Sequence, residues 1–310
     1  MAKYLVTGGA GFIGSHLANA LVAKGHSVVI LDNLSTGRRE KVPRAAKLVV
    51  GDILNATLVD RLMKDVDGCF HLAAIASVQR SVEDWSGTHR VNLTGAINIM
   101  NAARLSRIPV VYASSAAVYG DQTRFPIDEE CPRIPLTAYG ADKLGCELHA
   151  LVAGTTFGAP TAGLRFFNVY GPGQDPHSPY SGVISIFRDR LAGGLPITIF
   201  GSGHQVRDFV HVSDVVRHLI AALGIASASA PVLNVCTGRP TSIEELAKLM
   251  RQMLGSGSEI SYAPARAGDI RVSLGCPRRA TIALGVSADL MIADGLRWIA
   301  GKEVAEQLVA

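Results

Sequence analysis

The stretch Thr7-Gly8-Gly9-Ala10-Gly11-Phe12-Ile13-Gly14 follows a short apolar run, Tyr4-Leu5-Val6, and opens a helix-forming segment near residues 12–24. Its spaced glycines suit a phosphate cradle. Gly8 allows a tight turn, Gly11 lets backbone approach a pyrophosphate, and Gly14 brings helix against strand. Phe12 and Ile13 begin the helix whose amide hydrogens and partial positive charge face the phosphates. A glycine triplet alone occurs by chance, so the context decides. A second apolar run, Val28-Val29-Ile30-Leu31, ends in Asp32, eighteen residues past Gly14. A carboxylate there accepts hydrogen bonds from an adenosine ribose and repels a 2′-phosphate, which favours NAD over NADP. Arg38 and Arg39 weaken that preference, because a nearby arginine can host the phosphate. Asp52, between a strand and Ile53, either faces the adenine amine or is an ordinary strand-end acid.

Outward from this loop, short apolar runs alternate with helical stretches. Leu48–Val50, Gly68–Leu72 and Val110–Ala113 read as further strands, with helices near 57–65, 84–106 and 137–156. Apolar strands alternating with helices predict an α/β fold, a doubly wound parallel sheet of the Rossmann type. After about residue 170 the loop from Gly171 to Pro179 is rich in breakers and later elements are shorter. The expectation is a dinucleotide-binding domain over 1–167 and a smaller, discontinuous α/β substrate domain over 168–310. A helix at Val212–Leu223 and a strand at Val232–Val235 are suited to returning to the first sheet, near 212–235.

Composition narrows the class. The 310 residues suffice for one large core or two smaller ones. A net charge of +4 is modest. The densest basic groups, Arg38-Arg39-Glu40-Lys41 and Arg278-Arg279, read as solvated loop charge and not a nucleic-acid stripe. Five scattered cysteines without a C-x-x-C pair argue against a disulfide framework or a zinc site, and no metal is expected. The first residues run straight into a strand pattern, leaving no signal peptide, and no apolar run approaches the ~20 residues of a membrane span. A reduced, cytoplasmic protein is expected.

Tyr139 and Lys143 stand four residues apart in Thr137-Ala138-Tyr139-Gly140-Ala141-Asp142-Lys143, which stacks both on one helix face. A phenol acting as base near neutrality must ionise about three units below its free value, roughly 4 kcal/mol of preference. One cation at ~4 Å supplies about that much at an effective dielectric of 20, so a lysine is sufficient in magnitude. The spacing alone is common on helix surfaces. Upstream, though, Val110-Val111-Tyr112-Ala113-Ser114-Ser115 is a strand ending in hydroxyls, and strand C-termini line the ligand crevice of this fold. Ser115 is placed to bind a substrate hydroxyl and relay its proton to Tyr139.

These segments together resemble the extended short-chain dehydrogenases/reductases, specifically the UDP-hexose 4-epimerase group, over nearly the whole chain. The likeness is carried by Thr7–Gly14, Asp32-Asn33-Leu34-Ser35, His71-Leu72-Ala73-Ala74, Ser114–Gly120, Tyr139–Lys143, Leu164–Gly171, Arg207–His211 and Arg266-Ala267-Gly268-Asp269. The resemblance implies NAD contacts from Asn33, Ser35, Ile53, Leu72, Ala73, Ala74, Asn92, Tyr139 and Lys143. It implies that Ser114, Ser115 and Asn168 bind the substrate, with Arg207 and Arg266 on the diphosphate of UDP and Asp269 on a ribose hydroxyl. Without the resemblance those arginines read as surface charge; with it, their planar forks suit phosphate oxygens. The implied reaction oxidises C4 of the sugar, turns the planar 4-keto sugar over and reduces it on the other face. A homodimer through the helices near 84–106 and 137–156 is also implied.

Within that group, dehydratases and decarboxylases carry an acid just beyond the strand-end hydroxyl, whereas Ala116-Ala117-Val118 follow Ser115 here. That favours epimerisation. A tyrosine four residues past the Arg-x-Gly-Asp aspartate tends to exclude N-acetylated sugars; here the position is Ser273. Relatives acting on UDP-glucuronate tend to have arginine where Gly173 lies. Three departures stand out: Ala76 replaces a lysine near the phosphates, Phe209 replaces a tyrosine, and Leu274-Gly275-Cys276-Pro277 replaces an acidic stretch.

Overall fold

The computed structural model describes residues 1–176, 182–265 and 268–300. The first half runs β1 (Lys3–Thr7), α1 (Phe12–Ala23), β2 (Ser27–Asp32), β3 (Lys47–Val50), α2 (Ala56–Met63), β4 (Gly68–His71), α3 (Val78–Glu83), α4 (Trp85–His89), α5 (Gly95–Ser106), β5 (Val110–Ser115), α6 (Ala138–Phe157) and β6 (Thr161–Phe166). The second half runs β7 (Asn168–Tyr170), α7 (Val183–Ala192), β8 (Ile197–Phe200), β9 (Val206–His211), α8 (Val212–Ala222), β10 (Val232–Val235), β11 (Pro240–Ser242), α9 (Ile243–Leu254), β12 (Ile260–Ala263), β13 (Val272–Ser273), α10 (Arg278–Leu284) and α11 (Ile292–Ile299).

Seven parallel strands form the main sheet in the order β10-β6-β5-β4-β1-β2-β3. Side-chain alternation splits its core into two layers. Leu5, Leu31, Cys69, Val110 and Tyr112 meet α2, α5 and α6 on one face. Val6, Ile30, Phe70, Val111 and Leu164 meet α1 and α8 on the other. Leu5, Val6, Ile30 and Leu31 are fully buried, each stabilising the sheet by roughly 1.5–3 kcal/mol. The strand order reverses between β1 and β4, and their C-terminal ends open the crevice where such folds bind ligands.

The helix expected over 84–106 is continuous from 85 to 106 but widens into one i→i+5 turn at Arg90–Thr94. It starts where Asp84 accepts the Gly87 amide hydrogen. A β-carbon on Gly87 would stand 2.1 Å from that carboxylate, so glycine makes the cap possible.

In the second half, α8 packs on α1 and β10 pairs with β6 in the main sheet. The other elements build a second core around Phe187, Ile199, Phe209, Leu246 and Leu296. Strands β7, β9, β11 and β13 form a four-stranded sheet there. Asp208 of β9 is fully buried and accepts from Thr237 N and Oγ1, Gly238 N and Gly275 N, hydrogen bonds that offset the upward push of burial on its carboxyl. The Leu274–Pro277 segment is also pinned to Ile127, through Ile127 N to Leu274 O and Cys276 N to Ile127 O, both 2.8 Å. Backbone pairing and the Asp208 carboxylate thus fix it, although it carries no acidic side chain of its own.

Candidate active site

Each of the three glycines has a steric task. Gly8 has φ +69°, and a β-carbon on it would lie 2.7 Å from Ala73 N. On Gly14 it would stand 2.2 Å from Gly8 O, so α1 reaches the β1 turn only because no side chain intervenes. On Gly11 it would stand 3.1 Å from the same oxygen. The cradle opens on a cavity of about 740 Å³, an ordinary size for a cofactor site. Gly8, Gly11, Phe12, Ile13, Gly14, Asp32, Asn33, Ser35, Asp52, Ile53, Leu72, Ala73 and Ala74 all line it.

At one end Asp32 is buried, its carboxylate accepting from Ala10 N at 2.9 Å and Leu34 N at 2.8 Å. Further lone pairs remain on both oxygens for ribose hydroxyls. Asp52 accepts from Asn33 Nδ2 at 3.1 Å and Leu54 N at 2.9 Å, which closes that wall. Ala76 lines the cavity where a lysine was expected, and Arg80, one turn further on, lines it too. Asn92, expected near the cofactor, stands directly behind Ile75, which lines the cavity. Lying in the widened turn, its buried amide brackets Ile75, accepting from Ile75 N at 2.7 Å and donating to Ile75 O at 3.0 Å. It holds the loop after β4 from behind.

Tyr139 stands in the first turn of α6, which Thr137 caps by accepting from Gly140 N. A β-carbon on Gly140 would lie 2.6 Å from Ala117 O, so the turn after Ser115 packs directly on the turn carrying Tyr139. Ser115 ends β5 and its hydroxyl accepts from Ala117 N at 3.1 Å. Lys143 is buried, donates to Ala113 O at 2.9 Å, and holds its Nζ 5.8 Å from the Tyr139 ring centre. Ala113 itself lines the cavity. Beneath it, burial and the Lys143 charge push His71 down to about 3, keeping its ring neutral against Thr7 Oγ1 at 2.8 Å. Lys143 therefore meets no second cation from below.

Ser114 is a correction. Strand alternation points it, like Tyr112, toward α6, where its buried hydroxyl donates to Glu147 Oε1 at 2.5 Å. It cannot face a substrate. Glu147 also pairs with buried Arg165, a partnership unread in the sequence. The clue was there: Tyr139, Lys143 and Glu147 recur every four residues on one stripe of α6.

On the second sheet, Arg207 is registered opposite Ser273 and Phe209 opposite Asn168. Arg207 donates to Asp269 Oδ1 at 2.5 Å and to Val206 O and Ile270 O. Burial lowers its guanidinium, which Asp269 opposes. Arg207, Asp269 and Ser273 thus share one edge. Phe209 is buried edge-on against Tyr170, apolar packing that needs no hydroxyl. Arg266 lies outside the described residues.

Hydride chemistry with a nicotinamide dinucleotide fits a cradle of this shape; Ser115, Tyr139 and Lys143 do not line the cavity themselves, which reaches Ala113 of the strand that Lys143 holds. The chain belongs to the NAD dependent epimerase/dehydratase family, whose model matches residues 4–236, and it is an NAD-dependent enzyme. It is 38% identical over 302 residues to a UDP-glucose 4-epimerase of Mycolicibacterium smegmatis, covering 95% of this chain and 96% of that one. Two solved structures are alike in fold and sequence. The UDP-glucose 4-epimerase of Thermotoga maritima with UDP-glucose superposes with a TM-score of 0.93 at 34% identity, covering 96% of this chain and 97% of that one. The UDP-N-acetylglucosamine 4-epimerase of Methanobrevibacter ruminantium, in complex with UDP-N-acetylmuramic acid, gives 0.92 at 32%, covering 97% of each.

Proposed function

We propose that this protein is a UDP-sugar 4-epimerase that interconverts UDP-glucose with UDP-galactose and UDP-N-acetylglucosamine with UDP-N-acetylgalactosamine. The observation that carries the reading is the Tyr139–Lys143 pair packed against the end of β5, with alanines and no carboxyl following Ser115. Loss of water from the sugar needs an acid for the departing hydroxyl, and Ala116 and Ala117 offer none. Oxidation and reduction remain.

NAD, which Gly8, Gly11, Gly14 and Asp32 would hold in the cavity, would supply a hydride acceptor for C4 and the donor for its return. The protein's own groups do the rest. Tyr139 takes the C4 hydroxyl proton, directly or through Ser115, and later returns it. Lys143, fixed by Ala113 O, supplies the charge that favours the phenolate. Arg207 and Arg266 bind the diphosphate and Asp269 a ribose hydroxyl, with Asn168 beside the substrate. Binding strength placed on UDP leaves the sugar free to turn between the two half-reactions.

Incubating the full-length protein with UDP-galactose and with UDP-N-acetylgalactosamine, without added NAD, tests the reading. Chromatography is expected to show the C4 epimer of both; neither epimer would sink it. Ser273, on β13 beside Arg207, supports room for an acetamido group. Ser273→Tyr is expected to lower kcat/KM for the N-acetylated pair about ten- to hundredfold relative to the plain pair. An unchanged ratio would refute the gatekeeper.

The reading extends to a cytoplasmic homodimer. Leu148, Leu151 and Val152 are about half exposed and form one stripe of α6, and Val82 and Trp85 are exposed on α3 and α4, two helices that pack on α6. Such an apolar patch supports a twofold contact. Five free cysteines support a reducing compartment.

A further inference from the structure

The loop after β7 belongs to the substrate half, yet three side chains of the cofactor half hold it. His16 Nε2 donates to Pro172 O at 2.9 Å, Lys41 Nζ to Gly173 O at 2.6 Å, and Arg38 Nη2 to Asp175 Oδ2 at 2.6 Å. Burial lowers His16, so its neutral ring makes this contact through an N–H. Asp175 lines the same cavity as Asp32 and Arg38. The two halves therefore meet over the end of the cradle where a ribose is expected.

This placement answers the ambiguity left by the basic run at 38–41. Arg38 follows Gly37, whose β-carbon position lies 2.8 Å from Asp32 Oδ1, and its own amide donates to Ala10 O. It is thus rooted beside the carboxylate that selects the ribose. An arginine so placed would ordinarily bind a 2′-phosphate. Here its fork turns away to an acid 137 residues later. Lys41 is likewise turned to the strap, and Arg39 does not line the cavity.

We propose that Asp175 is a cofactor-specificity residue, which withholds Arg38 from a 2′-phosphate and so sharpens the preference for NAD over NADP. Exposed ion pairs add little to stability, and none is needed. What matters is the charge presented at the ribose edge. With Asp175 in place, the Arg38 cation is neutralised locally and Asp32 acts alone on an incoming phosphate. Without it, a free guanidinium stands beside Asp32 and offsets the repulsion. The loop of one half thereby sets the cofactor choice of the other.

The proposal rests on assigning the cavity to a dinucleotide, and the test reads binding, not epimerisation. Full-length protein is equilibrated with equal NAD and NADP and freed of unbound nucleotide. It is then denatured, and the released dinucleotides are quantified. In Asp175→Asn the bound NADP:NAD ratio is expected to rise about tenfold over the unaltered protein, equivalent to one decade in relative affinity. The rise should vanish in Arg38→Ala/Asp175→Asn. An unchanged ratio in the single variant, or a rise that survives in the double, overturns the proposal. Arg38→Ala alone is an independent check should the aspartate variant fold poorly. Its ratio is expected to match the unaltered protein, and a drop in the NADP share would show that Arg38 was never withheld. Unaltered protein that holds neither dinucleotide would overturn the cofactor assignment itself, and the proposal with it.

Discussion

Tyr139→Phe is expected to lower kcat for UDP-galactose by about 10²–10⁴-fold, the usual range for removing a general acid–base. At 1.36 kcal/mol per decade, that is about 2.7–5.5 kcal/mol of lost transition-state stabilisation. The phenylalanine ring keeps the volume in the first turn of α6 and its packing near Lys143. Only the hydroxyl goes. Affinity for UDP, measured by titration calorimetry, should then stay within about twofold, because an interaction used only in the transition state changes kcat and not ground-state binding. Ser115 is not expected to take over, since an alkyl hydroxyl is a far weaker acid than a phenol and Lys143, whose Nζ donates to Ala113 O of β5 at 2.9 Å, sits one turn from Tyr139 on the same helix. Turnover within tenfold of the unaltered enzyme would remove Tyr139 as the base.

The parts of this site that were readable in the sequence are those set by local geometry. Three glycines after a strand, an acid at the end of the next strand and a four-residue Tyr–Lys spacing each act over one turn or one strand. Nothing distant alters their meaning. The cavity lining by Gly8, Gly11, Gly14 and Asp32 follows from that, whereas Asn33, Ser35, Ile53 and Leu72 to Ala74, which line it too, were reached only through the family resemblance. Side-chain direction at a strand end was read less well. Ser114 and Ser115 are adjacent, so alternation must send them to different sides, and only the α6 partner reveals which. Asn92, expected near the cofactor, brackets the backbone of Ile75, which itself lines the cavity, a contact across 17 residues that no local pattern reveals. Arg38 was ambiguous for a different reason. Its acid, Asp175, lies inside the breaker-rich loop 137 residues later, and no periodicity connects residues that far apart.

The buried network around Arg165 has the largest expected effect on stability. Arg165 is buried in β6, with Nε and Nη2 on the two oxygens of Glu147 at 2.8 and 2.7 Å and Nη1 on Tyr119 Oη at 2.7 Å. Burial works to lower its guanidinium, but the Glu147 hydrogen bonds and charge outweigh that and leave it raised. Tyr119 Oη passes the chain on to Asn234 Oδ1 of β10 at 2.6 Å. One network thus ties α6 to β5, β6 and the returning strand β10. Arg165→Met leaves the Glu147 carboxylate without a cation in a dry site, and is expected to cost about 3–5 kcal/mol. At roughly 2–4 °C per kcal/mol for larger domains, the thermal midpoint of the NAD-bound protein should fall by roughly 6–20 °C in calorimetry. Arg165→Met/Glu147→Leu removes both charges together, and should lose less than Arg165→Met alone, because the desolvated acid that carried the penalty is gone. Equal losses in the single and the double variant would mean that packing around Arg165, and not its charge pairing, holds α6 on the sheet.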